Sequence, residues 1–409
     1  MTVAATTWTD SASAIRRWST SPFGASLLLA CAATLLYLIT GWAGREWPDL
    51  YVALADALLH GRADVPAQTG GELAPIGSIW YVPFPPAPAI VYMPLVGWLG
   101  QTPGIGYVVP AVAGGMSVGL GHLLLRRLDV ALEPALWLAA GFATTTLWWV
   151  ATEGGTWHVA QVLAVLFSLA ALHLALSARW PLAAGLLLGF AAASRLPVGL
   201  SLPLFLYLYR GSYARIAALL AGVGLLAVLV GMYNIARFNS PLDFGYSLIP
   251  SFYHPGGTVL DESWFRDGII SLSYIPRSLG VMFLSGFQIV PDAPYLKPSV
   301  SGLSIVLAAP IYLFAIRAPR SRLTAAAWLA VVLVMLPNLA HGSWGFWQLG
   351  YRFLLDATPF LLVLLGLTFR DHISPAARAA VVLGAAVTGY GLWAMKLALF
   401  VDQGLPFAP

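Results

Sequence analysis

Apolar runs about as long as a bilayer is thick recur along almost the whole chain. Crossing the ~30 Å hydrocarbon core takes roughly 20 helical residues at ~1.5 Å each. Runs near that size occupy 24–43, 105–125, 134–151, 158–177, 215–233, 323–340, 352–369 and 379–400, with shorter ones at 181–194, 197–209 and 302–316. Two more, 86–100 and 277–291, are short enough to be re-entrant or interfacial. Charged residues make up only 9% of the 409, against about a quarter in soluble domains. That balance excludes a soluble enzyme, a disordered chain and a nucleic-acid-binding domain. The expected fold is an all-α polytopic membrane protein with about 11 to 13 transmembrane helices. It reads as one domain over 1–409, without a separate soluble C-terminal domain. No internal repeat is visible, which argues against an inverted-repeat transporter.

Residues 1–23 are polar, with Arg16 and Arg17 just ahead of the first run. No small-x-small cleavage site precedes Arg45, so this run reads as a transmembrane helix rather than a signal peptide. Basic residues collect on the cytoplasmic side of membrane proteins. With a cytoplasmic N-terminus, 12 of the 21 basic residues fall in short inner loops, among them Arg126, Arg127, Arg317, Arg320 and Arg322. Most acids then lie outside. The multi-pass chain is expected in the cell (inner) membrane with its chemistry on the periplasmic or extracellular face. Two long outer loops, 44–85 and 234–300, hold most of the charge, Trp and Tyr outside the membrane. Loops of that length are usually functional. The inner loops are too short for a nucleotide, and the chain has no P-loop and no Gly-rich dinucleotide turn. An energy-rich substrate would have to be lipid-borne. The single cysteine, Cys31, excludes disulfides and Cys-based metal sites.

The first outer loop predicts a helix from Pro48 to Gly61. Leu50, Leu54, Ala57 and Leu58 form an apolar stripe, with Asp49, Ala53, Asp56 and His60 on another face. This is the pattern of a helix lying on the membrane surface. Asp49 is either an acid that offsets the helix dipole or a site carboxylate. Glu46 is either a cap-region acid or a second site carboxylate. Tyr81 falls in Trp80-Tyr81-Val82-Pro83-Phe84-Pro85-Pro86, an aromatic belt or the wall of a groove.

Several segments resemble, in order, the GT-C superfamily of membrane glycosyltransferases, which use polyprenyl-phosphate sugars. Asp49-Leu50-Tyr51 opens a surface helix after the first span, and Tyr81-Val82-Pro83-Phe84-Pro85-Pro86 opens the next apolar run. Ala192-Ala193-Ser194-Arg195-Leu196-Pro197 is similar to the family's break between two short helices. Tyr233-Asn234-Ile235-Ala236-Arg237-Phe238-Asn239-Ser240-Pro241 and Gly350-Tyr351-Arg352-Phe353 resemble two later segments. The protein mannosyltransferases and aminoarabinose transferases are members. The resemblance implies a GT-C-like bundle and an inverting transfer of one sugar from a polyprenyl phosphate to a glycan, lipid or protein acceptor. It implies Asp49 as the general base. The chain lacks the paired Asp-Glu of the eukaryotic mannosyltransferases, unless Glu46 and Asp49 stand in for it, and lacks an Asp-x-Asp metal motif.

Such a reaction needs a base for the acceptor hydroxyl and positive charge for the leaving phosphate. Arg352, Arg237 and Arg195 are the candidates for the phosphate. Arg352 could equally snorkel at the interface. Arg195 sits between two apolar runs, where an ionisable group marks a site or a buried ion pair. Glu153, Trp157 and His158 lie together and suit a sugar, as do Tyr51, Tyr81 and Trp344; each could also be a cap or belt residue. No protein-only metal site is expected. A divalent ion, Mg2+ or Mn2+, on Asp49 or Glu153 with the substrate phosphate stays open. The competing reading is a transporter or lipid-linked glycan flippase, which would need polar groups along a through-path.

Overall fold

The computed structural model describes residues 21–41, 49–67, 71–102, 104–291, 295–299, 301–346 and 348–396. Arg16, Arg17 and Glu46 lie outside the described residues. Helix α1 (Pro22–Gly41) leads into the first long loop, with α2 (Leu50–Leu59), β1 (Asp64–Val65), β2 (Ala74–Ile76) and β3 (Ile79–Tyr81). Then come α3 (Ala87–Leu99), α4 (Ile105–Arg127), α5 (Leu132–Ala143), α6 (Thr146–Glu153), α7 (Thr156–Leu176), α8 (Pro181–Ala192), α9 (Leu202–Tyr209) and α10 (Tyr213–Phe238). The second long loop carries 3-10 turns, α11 (Ile275–Leu284), β4 (Phe287–Ile289) and β5 (Leu296–Pro298). Helices α12 (Ile305–Ala308), α13 (Arg322–Leu339), α14 (Thr358–Thr368) and α15 (Pro375–Lys396) follow.

Among the described residues six helices are long and apolar enough to cross a membrane: α1, α4, α7, α10, α13 and α15. The other apolar runs fold into shorter pieces, for local reasons. In 134–151 the Thr144 and Thr145 hydroxyls donate back to the carbonyls of Ala140 and Phe142 and separate α5 from α6. In 302–316 Pro310 stops α12, because proline has no N–H to continue it, and a 3-10 helix runs Pro310–Arg317 instead. In 352–369 a 3-10 helix, Arg352–Ala357, precedes α14. The run 86–100 becomes the 13-residue α3, about 20 Å long at ~1.5 Å per residue and too short to span alone. The run 277–291 ends in α11 and strand β4, so it is no span.

Small residues let the long helices approach closely, the usual way to pack helices in lipid. Gly115 and Gly119 of α4 face α1, where a Cβ would lie 2.5 Å from the Ala30 carbonyl and 2.8 Å from that of Ser26. Gly185 of α8 and Gly222 of α10 do the same for their pair.

The first-loop helix departs from the surface-helix expectation. Leu50, Tyr51, Ala53, Leu54, Ala55 and Ala57 are all buried. Three of the six are alanines, small enough for α2 to nest against α3 and be enclosed by protein rather than to float on lipid. Only its far end stays open, with His60 3.7 Å from Asp56 on an exposed face. After α2 the chain forms a three-stranded antiparallel sheet in the order β1-β3-β2, pairing Asp64 and Ala74 with Tyr81.

Candidate active site

A cavity of about 810 Å3 opens between the two long loops and the ends of the helices beneath them. Tyr51 of α2, Glu72, the Pro83–Pro85 stretch, and Thr156, Trp157 and His158 at the start of α7 form one side. Ser194 to Pro197, Asn338 and Arg352 with Phe353 form another. Tyr246, Phe252, Tyr253, Trp264, Phe265, His341 and Phe346 cover it with aromatic rings. Their edge-to-face contacts tie the second long loop to the segment after α13, with Tyr246 to Phe265 and His341 at 6.0 Å and Trp264 to Phe346 at 5.2 Å, while Tyr246 to Phe84 at 6.3 Å joins it to the first long loop.

Five of the residues singled out from the sequence line this cavity: Tyr51, Trp157, His158, Arg195 and Arg352. The other five do not. Arg237 is a clamp. Its guanidinium donates to the Val82 carbonyl (2.7 Å) and to Asn234 Oδ1 (2.8 Å), and it lies 3.8 Å from the Tyr233 ring. The Tyr-Asn-Arg segment therefore pins the C-terminal end of α10 to the stretch after β3. Tyr81 packs against Phe238 at 5.6 Å within that same knot. Trp344 is buried between Arg277, 4.3 Å away, and Phe346. Glu153 is buried at the last turn of α6.

Asp49 is the fifth, and it caps α2. Its Oδ1 accepts from the Tyr51 N–H at 3.0 Å and its Oδ2 from the Tyr92 hydroxyl at 2.6 Å. Burial pushes the carboxyl up to about 6, against the downward pull of these donors. The Leu50 N–H beside it donates to Thr156 Oγ1, so the cap is tied to α7. Thr156 lines the cavity; Asp49 does not. The two acids named as holders of a divalent ion, Asp49 and Glu153, are thus both off the lining. Among the described residues no three His, Cys, Asp or Glu side chains converge into a metal-binding group.

The two cavity arginines differ in kind. Arg195 sits at the break after α8 and is answered by Asp356, a fully buried acid. Its Nε and Nη2 reach Asp356 at 3.0–3.3 Å, its Nη2 reaches Asn338 Oδ1 at 3.0 Å, and Asn338 Nδ2 also donates to Asp356. This is the buried-pair alternative raised by the sequence. Arg352 is 9% exposed. Among the described residues no carboxylate lies within ion-pair distance of it, and its Nε has no hydrogen-bond partner. Its backbone is held instead: the N–H donates to Gln348 Oε1 at 2.9 Å and the carbonyl accepts from Gln161 at 3.2 Å. Gly345, at φ +83°, leaves the space beside it open; a Cβ there would lie 2.9 Å from Arg352 Nε. Burying an unpaired cation costs several kcal/mol, a cost that an anion entering the cavity would offset.

Sequence reasoning missed Glu72. It lines the cavity two residues ahead of β2, and its Oε2 accepts from Trp157 Nε1 at 3.0 Å. Burial raises its carboxyl above the usual range, while Trp157 and the nearby Arg352 charge pull it back down.

In overall structure the chain matches ArnT from Cupriavidus metallidurans bound to undecaprenyl phosphate. The TM-score is 0.56 and the sequence identity 15%, over 95% of this chain and 68% of ArnT. The apo form of that protein matches equally, over 94% of this chain and 66% of ArnT. This is the GT-C fold. The chain spans about two thirds of the ArnT length. No protein-family model matches it, and no curated protein matches it in sequence. The GT-C fold is shared; the residues are mostly not. The site must therefore be argued from the side chains present here.

Proposed function

We propose that the protein is a GT-C glycosyltransferase that moves one sugar from a polyprenyl phosphate to an acceptor on the outer face of the cell membrane. The observation that carries this reading is Arg352: a buried cation without an acidic partner among the described residues, in a cavity walled by aromatic rings. The leaving phosphate supplies the missing anion, and a guanidinium matches its geometry by presenting paired donors. That ArnT was solved with undecaprenyl phosphate supports the donor class. Leu196, Pro197, Leu200 and Pro337 line the cavity beside Arg195 and offer an apolar path for the lipid tail. Trp157 at the start of α7 and the rings of Tyr246 and Phe265 supply flat apolar faces for a pyranose. The sorting of basic residues to short loops supports a cytoplasmic N-terminus and an outward-facing cavity. Transfer in this reading is a single displacement with inversion, the acceptor attacking the sugar carbon opposite the leaving phosphate. Asp49 serves the fold in this reading, because one of its oxygens caps α2 and the other accepts from the Tyr92 hydroxyl of α3.

The test is donor binding and transfer by purified protein in lipid. Polyprenyl-phosphate mannose, glucose and arabinose are presented, with a membrane extract as acceptor. Wild type binds at least one donor and transfers its label. Arg352→Gln lowers donor affinity at least tenfold, in line with the roughly 1.5–3 kcal/mol of a charge-assisted hydrogen bond. Absence of binding to every polyprenyl-phosphate sugar would sink the reading; binding and movement across the bilayer without transfer would make the protein a flippase.

A further inference from the structure

We propose that Glu72, held by Trp157 in the same cavity as Arg352, is the general base that takes the proton of the acceptor hydroxyl. The inference rests on the glycosyltransferase reading above and names the residue that reading leaves open.

The chain fixes Glu72 from both sides. Gly71, at φ +76°, turns the backbone against Leu50 of α2, where a Cβ would lie 3.3 Å from the Leu50 side chain. Leu73 and Ala74 are buried, and Ala74 pairs with Tyr81 in the sheet. The backbone on either side of Glu72 is thereby anchored, and its side chain enters the cavity. There Trp157 Nε1 holds Oε2 at 3.0 Å. Among the described residues nothing else hydrogen-bonds Glu72, so Oε1 remains to meet a hydroxyl. A base held through one oxygen and open at the other is oriented without being neutralised.

Hydrogen-bond accounting excludes Asp356 and Asp49, whose oxygens are both taken, and shows the other acids and imidazoles around the cavity each held through one atom by nearby backbone or hydroxyl groups. Asp356 is consumed by Arg195 and Asn338. Asp243 lines the cavity but accepts from the Gly245 N–H at 2.7 Å, closing its own turn. One oxygen of Glu262 takes the Ser251 hydroxyl and the Phe252 and Tyr253 N–H groups. His341 meets the Ser343 carbonyl and N–H through Nδ1, and His158 meets the Gly154 carbonyl. Asp49 gives one oxygen to the α2 cap and the other to the Tyr92 hydroxyl of α3. Glu72 is also near enough to Arg352 to be influenced by its charge, yet not ion-paired with it. Base and phosphate-binding cation therefore face one space from separate segments.

The step balances. The acceptor oxygen forms the bond to the anomeric carbon as its proton passes to Glu72 Oε1. The bond from that carbon to the phosphate oxygen breaks, and its electron pair leaves with the polyprenyl phosphate beside Arg352. Glu72 then returns the proton to water.

The experiment compares wild type, Glu72→Gln, Trp157→Phe and Asp49→Asn in lipid. It measures binding of the polyprenyl-phosphate sugar that wild type uses and the rate of its transfer as a function of pH. Glu72→Gln keeps donor affinity within about threefold and loses transfer by roughly 10²- to 10⁴-fold, the usual contribution of a positioned base. Asn caps a helix as well as Asp, so Asp49→Asn keeps transfer within about threefold. Trp157→Phe removes a donor that favours the charged carboxylate, so the acid limb of its pH–rate profile moves to higher pH. Transfer by Glu72→Gln within tenfold of wild type overturns the inference. So does loss of donor affinity by that variant equal to its loss of transfer, or an acid limb that Trp157→Phe leaves unmoved. Loss of transfer in Asp49→Asn alone moves the base to Asp49. If wild type itself binds and consumes no polyprenyl-phosphate sugar, the glycosyltransferase reading fails first and takes this inference with it.

Discussion

Arg195 and Arg352 occupy the same cavity, in regions that treat charge in opposite ways. At the α8–α9 break, Arg195 meets Asp356 and Asn338 in a closed network. At the entry to α14, Arg352 is more deeply buried and has no acidic partner among the described residues. A matched buried pair holds two segments together; an unmatched buried charge is a cost that folding accepts only when something else is to bind there. Burial ranks Arg352 deeper than Arg195 but does not say which charge is matched. The inventory of partners separates them.

The sharpest way to break this contrast is to remove Asp356. Asp356→Ala strands Arg195 in a low-dielectric site and should cost about 3–5 kcal/mol, read as a large drop in thermal unfolding temperature. If stability holds, the network is not structural and Arg195 becomes a second phosphate ligand. Next in size is the reverse experiment. Arg352→Gln removes an unmatched charge, so unfolding temperature should hold or rise while donor affinity falls at least tenfold. A variant that instead unfolds would put Arg352 in the same structural class as Arg195.

A smaller effect sharpens the contrast between the two carboxylates of the first loop. Asp49 has its pKa raised from 3.8 to about 6 in the folded protein. The folded state therefore holds that proton more tightly than the unfolded chain. Its contribution to stability is fullest below about pH 4 and is lost as pH rises through about 6. Asp49→Asn should flatten this part of the stability–pH curve, measured as the difference between the wild-type and variant unfolding temperatures from pH 4 to 7.5. An unchanged difference would mean that Asp49 is not buried as described. The smallest effect belongs to an exposed pair. Arg370 meets Asp129 at 2.9 Å, but both side chains are more than half exposed. Arg370→Ala should leave stability within about 0.5 kcal/mol, setting the scale against which Asp356→Ala is read.

Several features were legible in the sequence because they depend on neighbours along the chain. The long apolar runs declared the membrane helices. Asp49 before Leu50 declared a helix start, and the structure makes it the N-cap. Ser194-Arg195-Leu196-Pro197 declared a break, and Arg195 sits there in extended backbone ahead of a 3-10 helix. The role of Arg237 was not legible. It occupies as suggestive a motif as Arg352, yet the Val82 carbonyl it binds is 155 residues away. Glu72 carried no signal, since it lies in a short Gly-rich stretch whose only apparent work is to turn. Its partner Trp157 is 85 residues on.

By itself the sequence determined what is local: a polytopic α-helical chain, its long loops, where helices begin and where they break. These follow from hydrophobic length, proline and capping chemistry within a few residues of one another. Only the tertiary structure decided which charges are spent. An arginine or a carboxylate is structural or available according to the partner it finds across the fold. That partner comes from packing, which no pattern along one strand of sequence records.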